Sequence, residues 1–243
     1  MITSMDNKTY KTWLKLTQKK YRLKEGMFLI EGEHLIIEAE KAGVLKELIL
    51  REGVSYDTLA PTTYLSKPLF EKLASTVTSA GIMAVCNTNE KEIVNKNRLL
   101  LVDNISDPGN LGTLIRSALA FGFDGMIVSV DTVDIYNDKV IRATQGSIFN
   151  LPIIRRNLTT ATVDLQSSGV KVYATALNAN AKLINDVPTT KKMAFIVGNE
   201  GVGVKQDLVA ICDGCLKIEM KSTVESLNVG VAGSIVMHKF GNF

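Results

Sequence analysis

Residues 217–239 read KIEMKSTVESLNVGVAGSIVMHK and set a strand-like run, a polar loop and a nearly all-apolar run one after another. Residues 216–220 alternate apolar and charged side chains as a half-buried strand does, and 227–237 carry almost no charge over about three helical turns, as a buried helix does. Gly230, Ala232, Gly233 and Ser234 lie inside that second run. Each Gly lowers helix propensity by roughly 1 kcal/mol relative to Ala, so this cluster of small side chains predicts another backbone packed close by. Between strand and helix, Glu225-Ser226-Leu227-Asn228 offers Ser226 as the expected N-cap, with the free N–H groups of a helix start turned toward the loop. A ligand has room to bind there. A C-terminal core helix with an ordinary cap would read the same way.

Two stretches upstream bear on that choice. Residues 103–118, DNISDPGNLGTLIRSA, and 194–204, AFIVGNEGVGV, repeat the order of strand, Gly-rich turn and helix. In this order, over residues 98–243, the three stretches resemble the three signature motifs of the SpoU (TrmH-like) branch of the SPOUT RNA methyltransferases. The segment FLIEGEHLIIEA, residues 28–39, resembles the small RNA-binding domain of the same family.

Length and composition suit a folded globular chain: 243 residues, 46% hydrophobic and 22% charged, enough for one large domain or two modest ones. No apolar run approaches the ~18 to 20 residues of a membrane helix, and the N-terminus is basic and polar without an apolar signal core, so the expectation is a cytoplasmic protein with no membrane partner. Cys86, Cys212 and Cys215 are too few and too unevenly placed for a disulfide framework. Cys212-Asp213-Gly214-Cys215 supplies half of a four-ligand zinc site, with no second CxxC and no nearby His, so no metal is expected. The net charge of +3 is uneven, with seven Lys or Arg in residues 1–26 against Asp6 and Glu25. Lys8, Lys11, Lys15 and Lys19 fall at helical spacing on one stripe, Lys20 and Arg22 continue it, and Trp13 and Leu16 are left for another face. Such a stripe is either a solvated helix face or a phosphate-binding patch. The family resemblance favours RNA.

Along the chain, short strands are expected at 27–30, 48–50, 63–65 and 82–86, with helices at 34–42 and 67–74, giving a small α/β domain over 1–88. Residues 89–97, within the polar NTNEKEIVNKN segment, read as a linker. From 98 to 243, strands alternate with helices, which predicts a mostly parallel sheet with helices on both faces. The helices are expected at 111–121, 139–144, 160–167, 205–212 and the C-terminus. His34 and His238 are assigned to structure. Physics alone stops at an open doubly wound α/β sheet; the resemblance implies a C-terminal trefoil knot in a SPOUT domain.

The glycines Gly198, Gly201 and Gly203 follow a late strand as G-x-x-G-x-G, and no Walker lysine follows, which argues against a dinucleotide or nucleoside-triphosphate site. The resemblance implies S-adenosyl-L-methionine as cofactor, held largely by backbone groups at Gly198, Ile218 and Leu227, with Thr175 and Ala176 at the end of their strand. It implies Arg116 as the catalytic arginine, with Asn110, Glu200, Ser226 and Asn228 as the other motif residues. Methyl transfer to a ribose 2′-hydroxyl needs in-line positioning and a way to bear alkoxide charge. An arginine keeps its proton, so it suits a clamp for RNA phosphate and developing oxyanion better than a base. Asn110 and Asn228 are then expected to position ribose and loops, and Glu200 to hold Arg116 or the second motif's loop; for Ser226 and Asn228, helix capping is the plainer role. Arg142, in the family-like stretch KVIRATQGSIFNLP, is a further RNA-facing candidate beside the plainer reading of a surface polar residue. The expected activity is 2′-O-methylation of RNA, ribosomal RNA in particular, by a homodimer joined through the knotted domain. An RNA-binding or ribosome-assembly factor of the same fold without turnover is the alternative, and base methylation a second one.

Overall fold

The computed structural model describes residues 1–76, 79–88, 91–178 and 180–242. Asn89 and Glu90, which open the linker expected at 89–97, and Phe243, the last residue of the expected second domain, lie outside the described residues. The chain divides into two compact units: Met1–Asn89 with Asp134–Phe149, and Glu90–Val133 with Asn150–Phe243. In chain order the elements of the first stretch are α1 (Lys8–Lys15), α2 (Lys19–Glu25), β1 (Met27–Glu31), α3 (Glu33–Lys41), β2 (Leu45–Arg51), β3 (Thr62–Leu65), α4 (Lys67–Leu73) and β4 (Ile82–Asn87). There follow β5 (Arg98–Val102), α5 (Pro108–Ala120), β6 (Gly125–Val128), α6 (Asp138–Thr144), β7 (Ile153–Arg155), α7 (Leu158–Ser167) and β8 (Lys171–Thr175). The last are β9 (Lys182–Leu183), β10 (Met193–Val197), α8 (Gln206–Ile211), β11 (Gly214–Lys217) and α9 (Val229–Phe240).

In the first unit the sheet order is β1-β4-β2-β3, with β4 antiparallel to both neighbours and β2 parallel to β3. The lysine-bearing segment is not one helix. Leu16 closes α1 and α2 begins at Lys19 after an extended Gln18, so the expected stripe is split between two helices. Tyr10, Trp13 and Leu16 are buried against Leu69, Phe70 and Met83, and Tyr10 Oη donates to the Leu69 carbonyl at 3.2 Å. The second stretch of this unit packs α6 on β1, and Tyr136 stacks on Phe28 with ring centroids 4.5 Å apart. His34 Nε2 lies 3.3 Å from the Gln145 carbonyl.

In the second unit, β7-β6-β5-β10-β8-β11-β9 form a sheet in which every paired neighbour is parallel. Every residue of β5 and β10 is buried, as expected for strands covered on both faces. Leu158, Leu165, Leu208 and Val204 pack on Leu99, Leu101, Val172 and Ile196 on one side, while α5 and α9 pack together and α9 lies on β10. The small residues of α9 make room for side chains of α5 rather than for the second backbone expected there. A Cβ at Gly233 would overlap Leu114 Cδ2, and Ser234 Oγ lies 2.7 Å from Ser117 Oγ of α5. Among the described residues no helix is long and apolar enough to cross a membrane.

Candidate functional site

In an open parallel sheet, ligands bind outside the carboxyl ends of the strands, where turns and helix starts leave N–H groups free. Three such ends meet here. β8 ends at Thr175, β10 at Val197 and β11 at Lys217, and the turns beyond them surround a cavity of about 410 Å³, within the usual range for small-molecule sites. Thr175, Ala176, Gly198, Ile218 and Leu227, expected as cofactor residues from separate places in the chain, all line it; Glu200 and Ser226 line it too.

Each turn is held by its own bonds. At Gly198 a Cβ would overlap the main chain of Gly203 and Val204, because the loop returns on itself and Asn199 and Gly203 exchange N–H to carbonyl bonds at 3.1 and 2.9 Å. Gly203 has φ +77°, in the left-handed region open to glycine. Asn199, which the motifs did not single out, anchors this loop: Nδ2 donates to the Asn104 carbonyl at 2.8 Å, and Oδ1 accepts from Gly201 N–H at 2.9 Å. Its place in GNEG is the signal that could have found it. Asp103, buried at the end of β5, accepts from Lys205 N–H at 3.0 Å and fixes the start of α8. The third turn is different. Among the described residues, the only main-chain N–H of 218–228 with a main-chain acceptor is that of Val224, which donates to the Lys221 carbonyl at 3.1 Å.

Asn110 sits in the first turn of α5, whose N-cap Asp107 accepts from Asn110 N–H at 2.8 Å. Asn110 Nδ2 donates to Glu200 Oε1 at 2.9 Å, and Asn228 Nδ2 donates to Asn110 Oδ1 at 2.9 Å. The three motifs therefore join through side chains 90 and 118 residues apart in sequence. The cap of α9 is Asn228, not Ser226: Asn228 Oδ1 accepts from Gly230 and Val231 N–H, while Ser226 is exposed in the loop two residues earlier. Glu200 does not hold Arg116, as one form of the expectation had it; it holds Asn110. Arg116 is exposed on α5 and, among the described residues, makes no hydrogen bond or ion pair.

The RNA candidates divide. Lys8, Lys11, Lys15, Lys19 and Lys20 are exposed, Lys11 with Asp6 at 2.7 Å, and Lys15 and Lys20 near the Tyr21 ring. Lys11 draws the Asp6 carboxyl below its ordinary value through a hydrogen bond and its charge. Arg22 is a correction to the expected set. It is 6% exposed, with Nε and Nη2 on Asp134 Oδ2 at 2.9 and 2.6 Å and Nη1 on the Leu16 carbonyl at 2.9 Å, so its guanidinium faces inward. Arg142 is half-buried and its Nη1 is tied to Ser75 Oγ at 2.7 Å and Asp138 at 2.8 Å.

Cys212 and Cys215 do not line the cavity, although Cys215 Sγ accepts from Asn178 Nδ2, a lining residue, at 3.5 Å. Burial, with Cys215 and Asp213 adding to it, pushes the Cys212 thiol up to about 12, and its Sγ donates to the Leu208 carbonyl at 3.1 Å. Among the described residues no group of three or more His, Cys, Asp or Glu could hold a metal ion.

The sequence can be set beside known proteins. Residues 97–238 match the model of the SpoU rRNA Methylase family, and residues 7–84 that of the MRM3-like substrate binding domain. A Bacillus subtilis protein, the 23S rRNA (guanosine(2553)-2'-O)-methyltransferase RlmP, is 40% identical across 98% of this chain and 97% of its own. The crystal structure of an AdoMet-bound rRNA methyltransferase from Sinorhizobium meliloti superposes with a TM-score of 0.87 at 26% identity, covering 98% of this chain and 95% of that one. AviRb from Streptomyces viridochromogenes, with a TM-score of 0.85 at 22% identity over 96% of both chains, shares the fold. A family model spanning more than half of the sequence, and a relative alike from end to end, agree with the three joined turns: the chain belongs to the SpoU rRNA methylase family.

Proposed function

We propose that this protein transfers a methyl group from S-adenosyl-L-methionine to a ribose 2′-hydroxyl of ribosomal RNA, in the cytoplasm and as a homodimer. The observation that carries the reading is the convergence of Asn110, Glu200 and Asn228 in one hydrogen-bonded cluster, with Glu200 also lining the cavity beside Gly198, Ile218 and Leu227. The residues fit that cofactor. Main-chain N–H groups of 218–228 without main-chain acceptors can read a polar, hydrogen-bonding end, and Leu216, Val229 and Val236 give apolar wall. Thr175 and Ala176 flank the cavity with their own groups engaged, Thr175 Oγ1 on the Ile196 carbonyl and Ala176 N–H on the Leu216 carbonyl, both at 3.0 Å.

Bound there, S-adenosyl-L-methionine supplies a methyl group made electrophilic by its sulfonium. The chain's own part is to bring a ribose hydroxyl in line and to bear the charge that builds on its oxygen as its proton passes to solvent water. Arg116, exposed and unpaired among the described residues, has its whole donor fork free for an RNA phosphate and the developing oxyanion. Asn110 orients the ribose and Asn228 fixes Asn110 while capping α9. Ser226 stands in the loop beside Leu227 at the cavity wall, where its hydroxyl, without a hydrogen-bond partner among the described residues, can meet substrate. The five exposed lysines of α1 and α2 hold RNA phosphate. Leu119 and Val231, exposed on the paired helices α5 and α9, offer apolar surface to a second copy. The knotted C-terminal backbone that the family resemblance implies is part of the same reading. The full-length likeness to RlmP makes 23S rRNA, and a guanosine in it, the first substrate to offer.

The test is to incubate the protein with labelled cofactor and unmodified ribosomal RNA, digest to nucleosides and identify the methylated product by mass spectrometry, beside Arg116→Ala. A 2′-O-methylguanosine that disappears in the variant is expected. A base-methylated nucleoside would replace the reaction proposed. Cofactor binding measured by calorimetry with no product on any ribosomal RNA would overturn the substrate, and absence of both would turn the reading to an RNA-binding factor without turnover.

A further inference from the structure

We propose that Asn228, Asn110 and Glu200 form a hydrogen-bond chain with a single direction, in which Asn228 and Glu200 are positioning residues that keep the Asn110 amide in one of its two orientations. Its kinetic consequence rests on the methyl-transfer reading above; its structural content does not.

The direction follows from which groups can donate. Asn228 Oδ1 faces the N–H groups of Gly230 and Val231 at 2.9 and 3.2 Å. A main-chain N–H only donates, so the oxygen of Asn228 must be on that side and its NH₂ must face Asn110. The atom of Asn110 2.9 Å from that NH₂ is then the carbonyl oxygen, which leaves the Asn110 NH₂ toward Glu200 Oε1 at 2.9 Å. A carboxylate only accepts. Both ends therefore demand the same polarity, and neither amide can turn over without setting oxygen against oxygen. The backbone of Asn110 is held as well, its own N–H donating to Asp107 Oδ1 at 2.8 Å.

An amide has two N–H bonds and two lone pairs on oxygen. The chain takes one of each from Asn110, so one N–H and one lone pair remain for a ligand, and the chain decides which of them stands on which side. Nothing in the shape of the side chain would distinguish the two orientations. For a sugar hydroxyl that must give up a proton and gather charge, meeting the N–H or the lone pair at a given place is the difference between stabilisation and repulsion.

Four variants separate direction from charge and from bulk. Glu200→Gln keeps an acceptor oxygen for Asn110 and so keeps the direction; Glu200→Ala removes the end of the chain. Asn228→Asp still caps α9 but offers Asn110 an oxygen, forcing the amide to turn and face Glu200 with its own oxygen. Asn228→Asp with Glu200→Gln lets the chain close in reverse. In side-chain amide nitrogen–proton spectra, with Asn110 and Asn228 signals identified by their loss in alanine variants, Glu200→Gln should leave the Asn228 signals in place. Asn228→Asp should displace those of Asn110. In turnover, Glu200→Ala and Asn228→Asp are expected to lose about 10- to 100-fold in kcat, the scale of a lost hydrogen bond to a charged or buried partner, and Glu200→Gln is expected to lose clearly less than Glu200→Ala. The KM for cofactor should move less. The reversed double variant should regain the melting temperature without regaining kcat.

Glu200→Gln as inactive as Glu200→Ala would show that charge, not direction, is required. A reversed double variant with full kcat would show that direction is immaterial, and Asn110 signals indifferent to Asn228→Asp would show that no such chain exists. Should the unaltered protein methylate no RNA, the methyl-transfer reading fails on its own, and the amide spectra still decide the chain.

Discussion

Arg22 in the first unit and Asn110 in the second are both polar residues that the sequence marks as functional, and they differ in what their bonds leave over. The guanidinium of Arg22 is buried, and each of its three nitrogens donates inside the unit, to Asp134 or to the Leu16 carbonyl. Asn110 is half exposed, tied on two sides and unsaturated on the others. A buried charge is stable only when it is paired, and burial behind those partners leaves no open face for a ligand. The lysines close to Arg22 in sequence share its charge and have the opposite fate, because their ammonium groups reach solvent. Residue type marks both as candidates; bonding capacity that still faces solvent separates a site from a strut.

Removing either side of this contrast should have unlike consequences. Arg22→Leu leaves Asp134 buried without its counter-charge and should cost about 3–5 kcal/mol in denaturant unfolding. Replacing both Arg22 and Asp134 by apolar residues should recover much of that. If Arg22→Leu instead kept its stability and weakened RNA binding, Arg22 would belong with the lysines. Gly198→Ala sets a methyl group against the main chain of Gly203 and Val204, which cannot swing aside as a side chain would. Cofactor affinity by calorimetry should drop about tenfold or more, roughly 1.4 kcal/mol. Replacing Lys8, Lys11, Lys15, Lys19 and Lys20 together by Gln should lower RNA affinity and reduce the slope of log K against log salt by about 0.7 for each single-strand phosphate no longer neutralised. Substitution is the cleaner test here, because deleting the segment would also remove Tyr10, Trp13 and Leu16 from the core.

The smallest effect is expected at Asp213, an ordinary surface strut. Burial alone would push its carboxyl up, but Lys171, Gln166 and the Val172 N–H outweigh it and the net shift is down. A folded-state value below the unfolded one adds stability above the ordinary carboxylate value, and that stability is lost as pH falls through the folded value. Asp213→Asn should therefore lower stability slightly at neutral pH and flatten the acid limb of a stability–pH curve, with turnover per folded molecule unchanged.

Much of this arrangement is legible in the chain. The strand at 193–197 and the small residues of α9 lie where their patterns place them, because burial on both faces and close helix packing leave strong local signatures. Element ends are harder. Apolar periodicity starts α5 at Leu111, although Asp107-Pro108, a cap followed by a proline at the first helical position, signals the true start three residues earlier. Ser226 and Asn228 are both good caps, and only the path of the main chain into α9 chooses between them. Lysines spaced by three and four read straight through the break at 16–18, since charge periodicity carries no record of where a backbone turns. At the site, sequence supplies the members of the cavity wall but not the bonds: that Glu200 reaches Asn110 rather than Arg116 depends on three loops meeting in space.

The membership of Asp134–Phe149 in the first unit changes how that unit can be obtained and made. It is not a continuous length of polypeptide. A fragment cut at the apparent boundary near residue 97 would lack Asp134, α6 and the Tyr136 ring that stacks on Phe28, and would hold Arg22 with its counter-charge missing. During synthesis the same absence lasts until the ribosome has added some fifty further residues, at about 5–20 per second. For those seconds the lysine-bearing helices would emerge on a half-finished scaffold, so a binding module that looks autonomous on paper would mature only after part of the following unit has been translated.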